Sequence, residues 1–381
     1  MRIGIDIKHF KHGSTGIATY LKCMMDSLQE IDKINEYFLF ECIQSEYTVS
    51  NPKWKKILIP WKNIGTIWQQ FILPFFLYRY KVEVLWSPEQ TCPILFMKTI
   101  RIVTTIHDLV FIHYPRTCQI STRIVFSALT PYVLRKSDAL VAVSDYIKQD
   151  VIREFKHLKV EKKIFSIPNG KPKWEVPENY SVSKRKEFLF FPGNLEPRKN
   201  LKNLVKALII LKKKNLIINL HLAGPKGWKN RNLLNLLNRS EVSQQIKYMG
   251  YLDETKLKIE YLTCKALIYP SIYEGFGLPI LEALCLDCLI LTSKGTVMEE
   301  IANDSAIFFD ANNPECIADS IEKIYKPEFN REIYLSEKKK EKLKNYSWDL
   351  SAEKLLNVLT QRKTRSKNIN KNSRVRAKYN I

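Results

Sequence analysis

Short, continuously apolar segments alternate along most of the chain with longer segments of helical periodicity. Strands that are covered on both faces of a parallel sheet have this continuous apolar character. Seven such segments lie in the first half, at residues 3–7, 37–40, 57–59, 84–86, 100–106, 140–143 and 164–167. Six lie in the second half, at residues 188–191, 217–223, 246–249, 266–269, 289–291 and 306–309. The pattern predicts an α/β protein with two doubly wound parallel sheets.

The clearest helical period begins at Leu201. Apolar residues then recur at intervals of three and four, which places one apolar stripe along a helix: Leu201, Leu204, Val205, Leu208 and Leu211. Residues 171–186 have no sustained period and contain two prolines and seven charged residues. We therefore predict an N-terminal domain over 1–170, a linker over 171–186 and a C-terminal domain over 187–345.

Length and composition agree with two globular domains. The chain has 381 residues, of which 45% are hydrophobic and 26% charged, and this excludes a mostly disordered or collagen-like protein. The charge is unusual, because 61 Lys and Arg residues against 39 Asp and Glu residues leave a net charge of +22. Such a balance indicates an anionic partner: nucleic acid, a phosphorylated ligand or a membrane surface. Residues 361–381 contain eight basic residues and no acid, which predicts a disordered basic tail.

Targeting and redox signals favour a cytoplasmic protein. The chain opens on a strand-like segment, and its longest uncharged run, residues 63–78, is too short to cross a bilayer. The eight cysteines are scattered without a secretory signal, so we expect reduced thiols. Cys285 and Cys288 form a lone pair, for which core packing is favoured over a zinc half-site.

The segment 269–284 is the most informative candidate site. Gly275 and Gly277 precede a predicted helix with Pro279 in its first turn, and the free N–H groups of such a turn bind anions. Glu274 and Glu282 lie eight residues apart and could contact two hydroxyl-bearing parts of one ligand. The alternative is a plain helix start with a stabilising early glutamate.

A second segment, 190–201, places Arg198 and Lys199 in the loop after the first strand of the second half. Open α/β sheets bind ligands at the carboxyl ends of their strands, so these cations are well placed for a diphosphate. The alternative is a solvated basic turn. The chain contains no GxGxxG and no GxxxxGK[ST] sequence, which weakens the case for a dinucleotide oxidoreductase or a P-loop NTPase.

Together the two segments resemble the family 4 retaining glycosyltransferases, whose GT-B fold has two Rossmann-like domains facing a central cleft. Glu274 and Glu282 match that family's Glu-x7-Glu motif, and residues 193–200 match its Gly-x-Leu-x-Pro-Arg-Lys-Asn loop. Further segments are similar to family landmarks in the right order: 13–20, 103–109, 137–144, 168–170 and 346–348. The resemblance implies that residues 346–360 form a helix crossing back to the N-terminal domain, and segment 103–109 resembles the mannosyltransferase-like branch.

The resemblance implies roles for individual residues. Glu274 would bind sugar hydroxyls, Glu282 the ribose, and His107 would orient a sugar hydroxyl in the cleft. Lys199 would neutralise the departing diphosphate together with backbone N–H groups and the first glycine loop, here Gly16, Gly275, Phe276, Gly277 and Leu278. We therefore expect His107, Glu274 and Lys199 to be catalytic and the others, with Arg198, to bind the donor. Many relatives have an arginine where this chain has Asn194, so either Arg198 replaces that charge or the site has one cation fewer.

The resemblance also implies a reaction. A retaining transfer without a cofactor is expected, and it should need no metal because no Asp-x-Asp sequence occurs in the chain. A hexosyl or deoxyhexosyl unit, with mannose from GDP-mannose favoured, would pass from a nucleotide sugar to a saccharide or lipid-linked saccharide in polysaccharide or O-antigen assembly. The alternatives are a GT-B-like epimerase or phosphorylase and, more distantly, a nucleic-acid-binding protein.

A peripheral position at an anionic membrane surface is also expected. The net charge and the basic tail favour it, and Trp54, Trp61 and Trp68 lie near basic residues.

Overall fold

A computed structural model describes residues 1–8, 10, 16–60, 67–95, 97, 99–177, 185–227, 233, 235–237, 241–334 and 342–361. Four predicted features lie wholly or partly outside these described residues: positions 13–15 of the first glycine loop, Trp61, positions 178–184 of the linker, and the basic tail beyond residue 361.

The first sheet has seven parallel strands in the order β3-β2-β1-β4-β5-β6-β7. Their bounds are β1 Arg2–Asp6, β2 Glu36–Glu41, β3 Trp54–Leu58, β4 Val84–Ser87, β5 Arg101–Ile106, β6 Ala139–Ala142 and β7 Ile164–Ser166. In the centre of the sheet Ile3 is paired with Tyr37 on one side and Val84 on the other. Each of the seven predicted segments overlaps one of these strands.

The second sheet has six parallel strands in the order β10-β9-β8-β11-β12-β13. Their bounds are β8 Phe188–Pro192, β9 Asn219–Ala223, β10 Ile246–Gly250, β11 Ala266–Tyr269, β12 Leu289–Ser293 and β13 Ala306–Phe309. All residues of β8, β11 and β12 are buried, which explains their continuous apolar character. The prediction of two doubly wound parallel sheets is confirmed.

Helices connect the strands and cover the sheets. Within the described residues they are α1 Gly16–Ile31, α2 Leu73–Arg79, α3 Val110–His113, α4 Ile120–Lys136, α5 Asp145–Glu154, α6 Leu201–Lys213, α7 Glu254–Thr263, α8 Leu278–Cys285, α9 Val297–Ala302, α10 Pro314–Lys323 and α11 Trp348–Thr360. A π-helical turn, Trp68–Ile72, leads directly into α2. The predicted apolar stripe of α6 is buried along its whole length.

The last helix, α11, packs against α1 of the N-terminal half. Ser27 Oγ donates a 2.7 Å hydrogen bond to the Asp349 carboxylate, and Arg101 Nη1 donates to the carbonyl oxygen of Leu359 at 3.0 Å. At Gly170 a Cβ atom would lie 2.3 Å from the backbone nitrogen of Trp348, so only glycine permits this approach. The chain therefore returns to its first domain after completing the second.

Two tryptophans that were expected at a membrane surface are in the core. Trp54 is 4% exposed and stacks on Tyr37 with ring centroids 4.2 Å apart, while Trp68 is 1% exposed. Side chains alternate across a strand, so Trp54 turns inward while the neighbouring Lys55 is exposed. The membrane role predicted for these two residues is wrong. No helix within the described part of the chain is long and apolar enough to span a bilayer. None of the eight cysteines, all of which lie within the described residues, forms a disulfide bond, and Cys288 is buried against Cys264.

Candidate functional site

Strand order determines where the site lies. In the second sheet the order along the chain reverses between β8 and β11, which are hydrogen-bonded neighbours. Such a reversal leaves a crevice at the carboxyl ends of the two strands, because their connections leave in opposite directions. The loop after β8 carries Arg198 and Lys199, and the loop after β11 carries Glu274. The topology thus brings together two segments that are far apart in the sequence.

A cavity of about 490 Å³ lies between the two sheets at this point. All ten residues that the sequence assigned to the site line it: Gly16, His107, Arg198, Lys199, Glu274, Gly275, Phe276, Gly277, Leu278 and Glu282. Gly16 and His107 come from the N-terminal half and the other eight from the C-terminal half. The cavity is therefore a cleft with walls from both domains.

Glu274 binds both cations directly. Arg198 Nη1 lies 2.5 Å from Glu274 Oε2, and Lys199 Nζ lies 2.6 Å from Oε1. Ser271 Oγ also donates to Oε1, at 2.5 Å. Burial alone would raise the pKa of the Glu274 carboxyl, but the charges of Arg198 and Lys199 outweigh it and lower that pKa to about 2. The carboxylate is ionised, and the three side chains together carry one net positive charge.

Arg198 and Asn194 share a second carboxylate. Arg198 Nε donates to Glu196 Oε2 at 3.3 Å, and Asn194 Nδ2 donates to Glu196 Oε1 at 3.2 Å. The two positions therefore face the same group from either side. Lys199 is 6% exposed, and its pKa is lowered by burial and by the charge of Arg198.

The N-termini of α8 and α1 meet at the cleft. Gly277 has φ of +94°, a left-handed conformation that favours glycine, and it caps α8, in whose first turn Pro279 lies. A Cβ atom on Gly16, the first residue of α1, would lie 3.9 Å from Leu278 Cδ1. Both helices therefore direct their free N–H groups and positive dipole ends into one space, which suits an anion.

The close packing of the N-terminal domain leaves no room for a side chain at Gly275. A Cβ atom at this position would lie 1.8 Å from the carbonyl oxygen of His107, and Ser144 Oγ donates to the Gly275 carbonyl oxygen at 2.8 Å. The sequence predicted this glycine to lie just before an anion-binding helix start. The close approach that the structure contains is between the two domains.

His107 is held as a neutral ring at the cleft wall. Its Nε2 donates to the Pro88 carbonyl oxygen at 2.6 Å, and the ring packs edge-on against Tyr20 with centroids 5.0 Å apart. Burial lowers the pKa of His107, with the Pro88 contact opposing it. Because Nε2 carries the proton, Nδ1 of the neutral ring is a hydrogen-bond acceptor.

Glu282 lies inside α8 and accepts a 2.6 Å hydrogen bond from the Tyr261 hydroxyl. Burial raises the pKa of its carboxyl to about 7, although the hydrogen bond from Tyr261 opposes the shift. The two glutamates of the motif thus differ in charge state near neutral pH: Glu274 is ionised, and Glu282 titrates.

Sequence reasoning missed several residues of the cleft wall. Those with polar side chains include Thr19, Asp108, Asn169, Glu196 and Tyr269. Asp108 and Glu196 could have been found as close neighbours of His107 and Arg198 in the chain. Thr19 and Asn169 could have been found as members of the landmark segments 13–20 and 168–170.

One cluster outside the cleft has metal-ligand chemistry. His113, Asp150 and Glu154 lie close enough together to hold an ion. Arg153 and the Tyr273 hydroxyl already contact the Asp150 carboxylate. These contacts already satisfy the Asp150 carboxylate, so the three residues form a hydrogen-bonded ion cluster.

Comparison with known proteins identifies the domains. Residues 39–171 match the model of Glycosyltransferase Family 4, and residues 172–346 match that of Glycosyl transferases group 1. The chain is 27% identical over 267 residues to O-antigen chain mannosyltransferase B of Escherichia coli, a match that covers 68% of this chain and 70% of that protein.

Solved structures share the fold. Sucrose-phosphate synthase from Thermosynechococcus elongatus has a TM-score of 0.72 at 15% identity, over 94% of this chain and 98% of that one. Anabaena HepE in complex with UDP and glucose has a TM-score of 0.71 at 13% identity, over 95% of this chain and 100% of that one. The two domain models together cover residues 39–346, which hold the second sheet, most of the first and nine of the ten predicted site residues, so the chain belongs to the family 4 glycosyltransferases and is a glycosyltransferase enzyme with the GT-B fold.

Proposed function

We propose that this glycosyltransferase moves a hexosyl or deoxyhexosyl unit, with mannose from GDP-mannose favoured, to a saccharide or lipid-linked saccharide in polysaccharide or O-antigen assembly. The transfer retains the configuration of the anomeric carbon and needs neither metal nor cofactor. The observation that carries the proposal is the junction of Arg198, Lys199 and Glu274 beside the N-termini of two helices. This junction combines a diphosphate site with an acceptor of sugar hydroxyl hydrogen bonds.

The main requirement of the reaction is to stabilise the negative charge that develops on the leaving group. As the glycosidic bond breaks, the sugar becomes oxocarbenium-like and negative charge grows on the diphosphate. Lys199 and the N–H groups at Gly277 and Leu278 are fixed before the reaction, since Glu274 holds the ammonium and the fold holds the backbone. Preorganised donors of this kind stabilise charge where it develops. The same demand is met by a metal ion in the metal-dependent sugar transferases, which use Asp-x-Asp.

Glu274 and His107 would position the sugar. An ionised carboxylate has about four acceptor sites, and the contacts of Glu274 Oε2 with Arg198 leave capacity for a sugar hydroxyl. His107 Nδ1 offers a second acceptor from the opposite wall. The acceptor attacks from the face that the nucleotide leaves, and the departing diphosphate takes the proton, so no separate carboxylate base is required.

The nucleoside would lie beyond the diphosphate, on the C-terminal domain. Glu282 offers a carboxylate to the ribose hydroxyls from inside α8. Tyr251, Leu252 and Leu257 line the same cavity and supply one aromatic ring and two aliphatic side chains for a base. Support for mannose comes from the similarity to O-antigen chain mannosyltransferase B. The resemblance of segment 103–109 to the mannosyltransferase-like branch favours GDP-mannose as the donor, and a cytoplasmic location fits the use of nucleotide sugars.

An epimerase or phosphorylase with the same fold is the second candidate, because the fold alone permits it. Only a transferase joins the labelled sugar to an added acceptor, so product identity separates the two. A nucleic-acid-binding protein would be retained on RNA in a salt-sensitive way and would bind no nucleotide sugar.

The testing experiment is a binding screen of labelled UDP-, GDP- and dTDP-sugars on the full chain, followed by product analysis with the sugar that binds. We expect GDP-mannose to bind and Glu282→Ala to weaken it. Glu260→Ala is a control outside the cleft, because Glu260 contacts His221 instead. Failure of every nucleotide sugar to bind would contradict the proposal.

A further inference from the structure

The segment that contains the π-helical turn and α2 has an exposed apolar row. Ile67, Phe71, Phe75 and Tyr78 are 45%, 54%, 67% and 43% exposed. Their spacing of four, four and three residues places them on one face of the helix. The opposite face is buried, with Leu73 and Leu77 fully covered by the core beneath. One face of this segment therefore packs in the core, and a second apolar row lies on the surface.

Helix α4 has a similar row. Ile120, Ile124 and Tyr132 are 71%, 63% and 54% exposed, and they recur at multiples of four residues. The inner side of α4 packs through Val133 against Ile102 of β5. Two helices of the N-terminal domain thus present apolar rows away from their own core.

The two rows belong to one outer face of the domain. The connections β3–β4 and β5–β6 cross the sheet in the same direction, and right-handed crossovers in one direction place their helices on one side. Met97 packs against the cores beneath both helices. We define the apolar face as Ile67, Phe71, Phe75, Tyr78, Leu95, Ile120, Ile124 and Tyr132. It holds eight of the nineteen exposed large apolar side chains of the described residues, a concentration typical of a contact surface.

The charged residues within the two helical segments have a single sign. Residues 67–82 contain Arg79 and Lys81 and no acid, and residues 109–137 contain four basic residues, Arg116, Arg123, Arg135 and Lys136, and no acid. All six cations are exposed. If two copies of this face met, their cations would lie close to each other and repel, which disfavours self-association. Apolar and aromatic side chains accompanied by exposed cations on the same helices suit the boundary of an anionic lipid leaflet.

The face also borders the cleft. The π-helical turn follows the carboxyl end of β3, and α4 follows that of β5, and the carboxyl ends of the strands face the cleft. We propose that the apolar face docks this protein on an anionic membrane leaflet, so that the cleft opens towards lipid-linked acceptors. The docking is inferred from the composition of the apolar face alone. The access of lipid-linked acceptors to the cleft rests on the proposed function.

Vesicle flotation of the full chain tests the docking. The probe is phosphatidylcholine vesicles with or without phosphatidylglycerol, in the absence of nucleotide sugar, so a failure of the proposed transfer does not affect the result. We expect binding to the anionic vesicles, reduced about tenfold or more by Phe71→Ser with Phe75→Ser. The matched control is Ile217→Ser with Ile333→Ser, two side chains of the C-terminal domain that are each 66% exposed, and it should bind as the wild type does.

Several results would overturn the proposal. Equal binding to neutral vesicles removes the role of the cations. A Phe71 and Phe75 variant that binds as well as the wild type removes the role of the face. Loss of all binding on ending the chain at residue 361 assigns docking to the tail. A wild-type dimer that the variant dissociates, without vesicle binding, assigns the face to a second copy.

Discussion

The Tyr273 hydroxyl donates a 2.6 Å hydrogen bond to the Asp150 carboxylate, which lies on the opposite domain. Tyr273 immediately precedes Glu274 on the loop after β11, and Asp150 lies in α5. The backbone N–H of Leu109 donates to the same hydroxyl at 3.0 Å. The N-terminal domain therefore holds the loop that carries Glu274. One of the two contacts is made by Leu109, which lies two residues after His107 in the chain.

Tyr273→Phe should lower both stability and turnover. It removes a donor from a buried carboxylate, and a hydrogen bond to a charged group contributes about 1.5–3 kcal/mol. We expect the free energy of unfolding to fall by about that amount and kcat to fall more than donor affinity, because the loop loses its anchor. Denaturant unfolding and steady-state kinetics measure both effects, with the exposed Tyr132→Phe as control. An unchanged unfolding curve would show that the hydrogen bond carries no energy.

Lys199→Ala should reduce transfer by about 100-fold or more, as loss of one oxyanion donor does. Glu274 would keep Arg198 as its partner, so the variant should fold. Lys202→Ala removes an exposed lysine three residues away and should leave turnover unchanged. Steady-state rates with saturating donor decide the matter. If the two variants behave alike, Lys199 has no role in charge neutralisation.

Asn194→Arg in the Arg198→Ala background tests whether the two positions serve the same charge. Both side chains contact Glu196, so an arginine at 194 starts from the same carboxylate. We expect Arg198→Ala to cost about as much as Lys199→Ala, and Asn194→Arg to restore at least part of the loss. Transfer rates of the single and double variants measure this. Near wild-type activity of Arg198→Ala would assign Arg198 to a solvated surface role.

The pKa of about 7 at Glu282 predicts a pH dependence of donor binding. An ordinary glutamate is ionised throughout the neutral range, whereas Glu282 is largely protonated below its raised pKa. A ribose hydroxyl donates more strongly to the ionised form, so affinity should rise as the pH increases through about 7 and then level off. Glu282→Gln should bind more weakly and lose this dependence. A wild-type dissociation constant that is flat from about pH 6 to 8 would argue against a ribose contact.

The fold was predictable because most of its strands are buried on both faces, the edge strands β3 and β10 being partly exposed. All thirteen overlap apolar segments, since parallel strands beneath helices need little else from the sequence. The cleft residues were found because the Glu-x7-Glu segment and the Arg198–Lys199 loop follow neighbouring strands. Their pairing was not predicted: both cations were expected to face a diphosphate, and both are bound by Glu274.

Contacts between the domains could not be predicted from the sequence, for a different reason. Tyr273 and Asp150 are 123 positions apart, and only the relative placement of the two sheets brings them together. The requirement for glycine at 275 arises from the same placement, since the obstructing atom belongs to His107. The burial of Trp68 depends on which side of its helical turn packs on the sheet, which the neighbouring basic residues do not reveal.

The most direct test of the account is product analysis with labelled GDP-mannose, a saccharide acceptor and excess EDTA. We predict an acceptor extended by one mannosyl unit whose anomeric configuration, read by NMR, is that of the donor, at a rate that EDTA does not change. An inverted product would contradict the retaining mechanism, and a loss of activity restored by Mn2+ would contradict metal independence. Recovery of only epimerised nucleotide sugar or free mannose, with the acceptor unmodified, would contradict the assignment as a transferase.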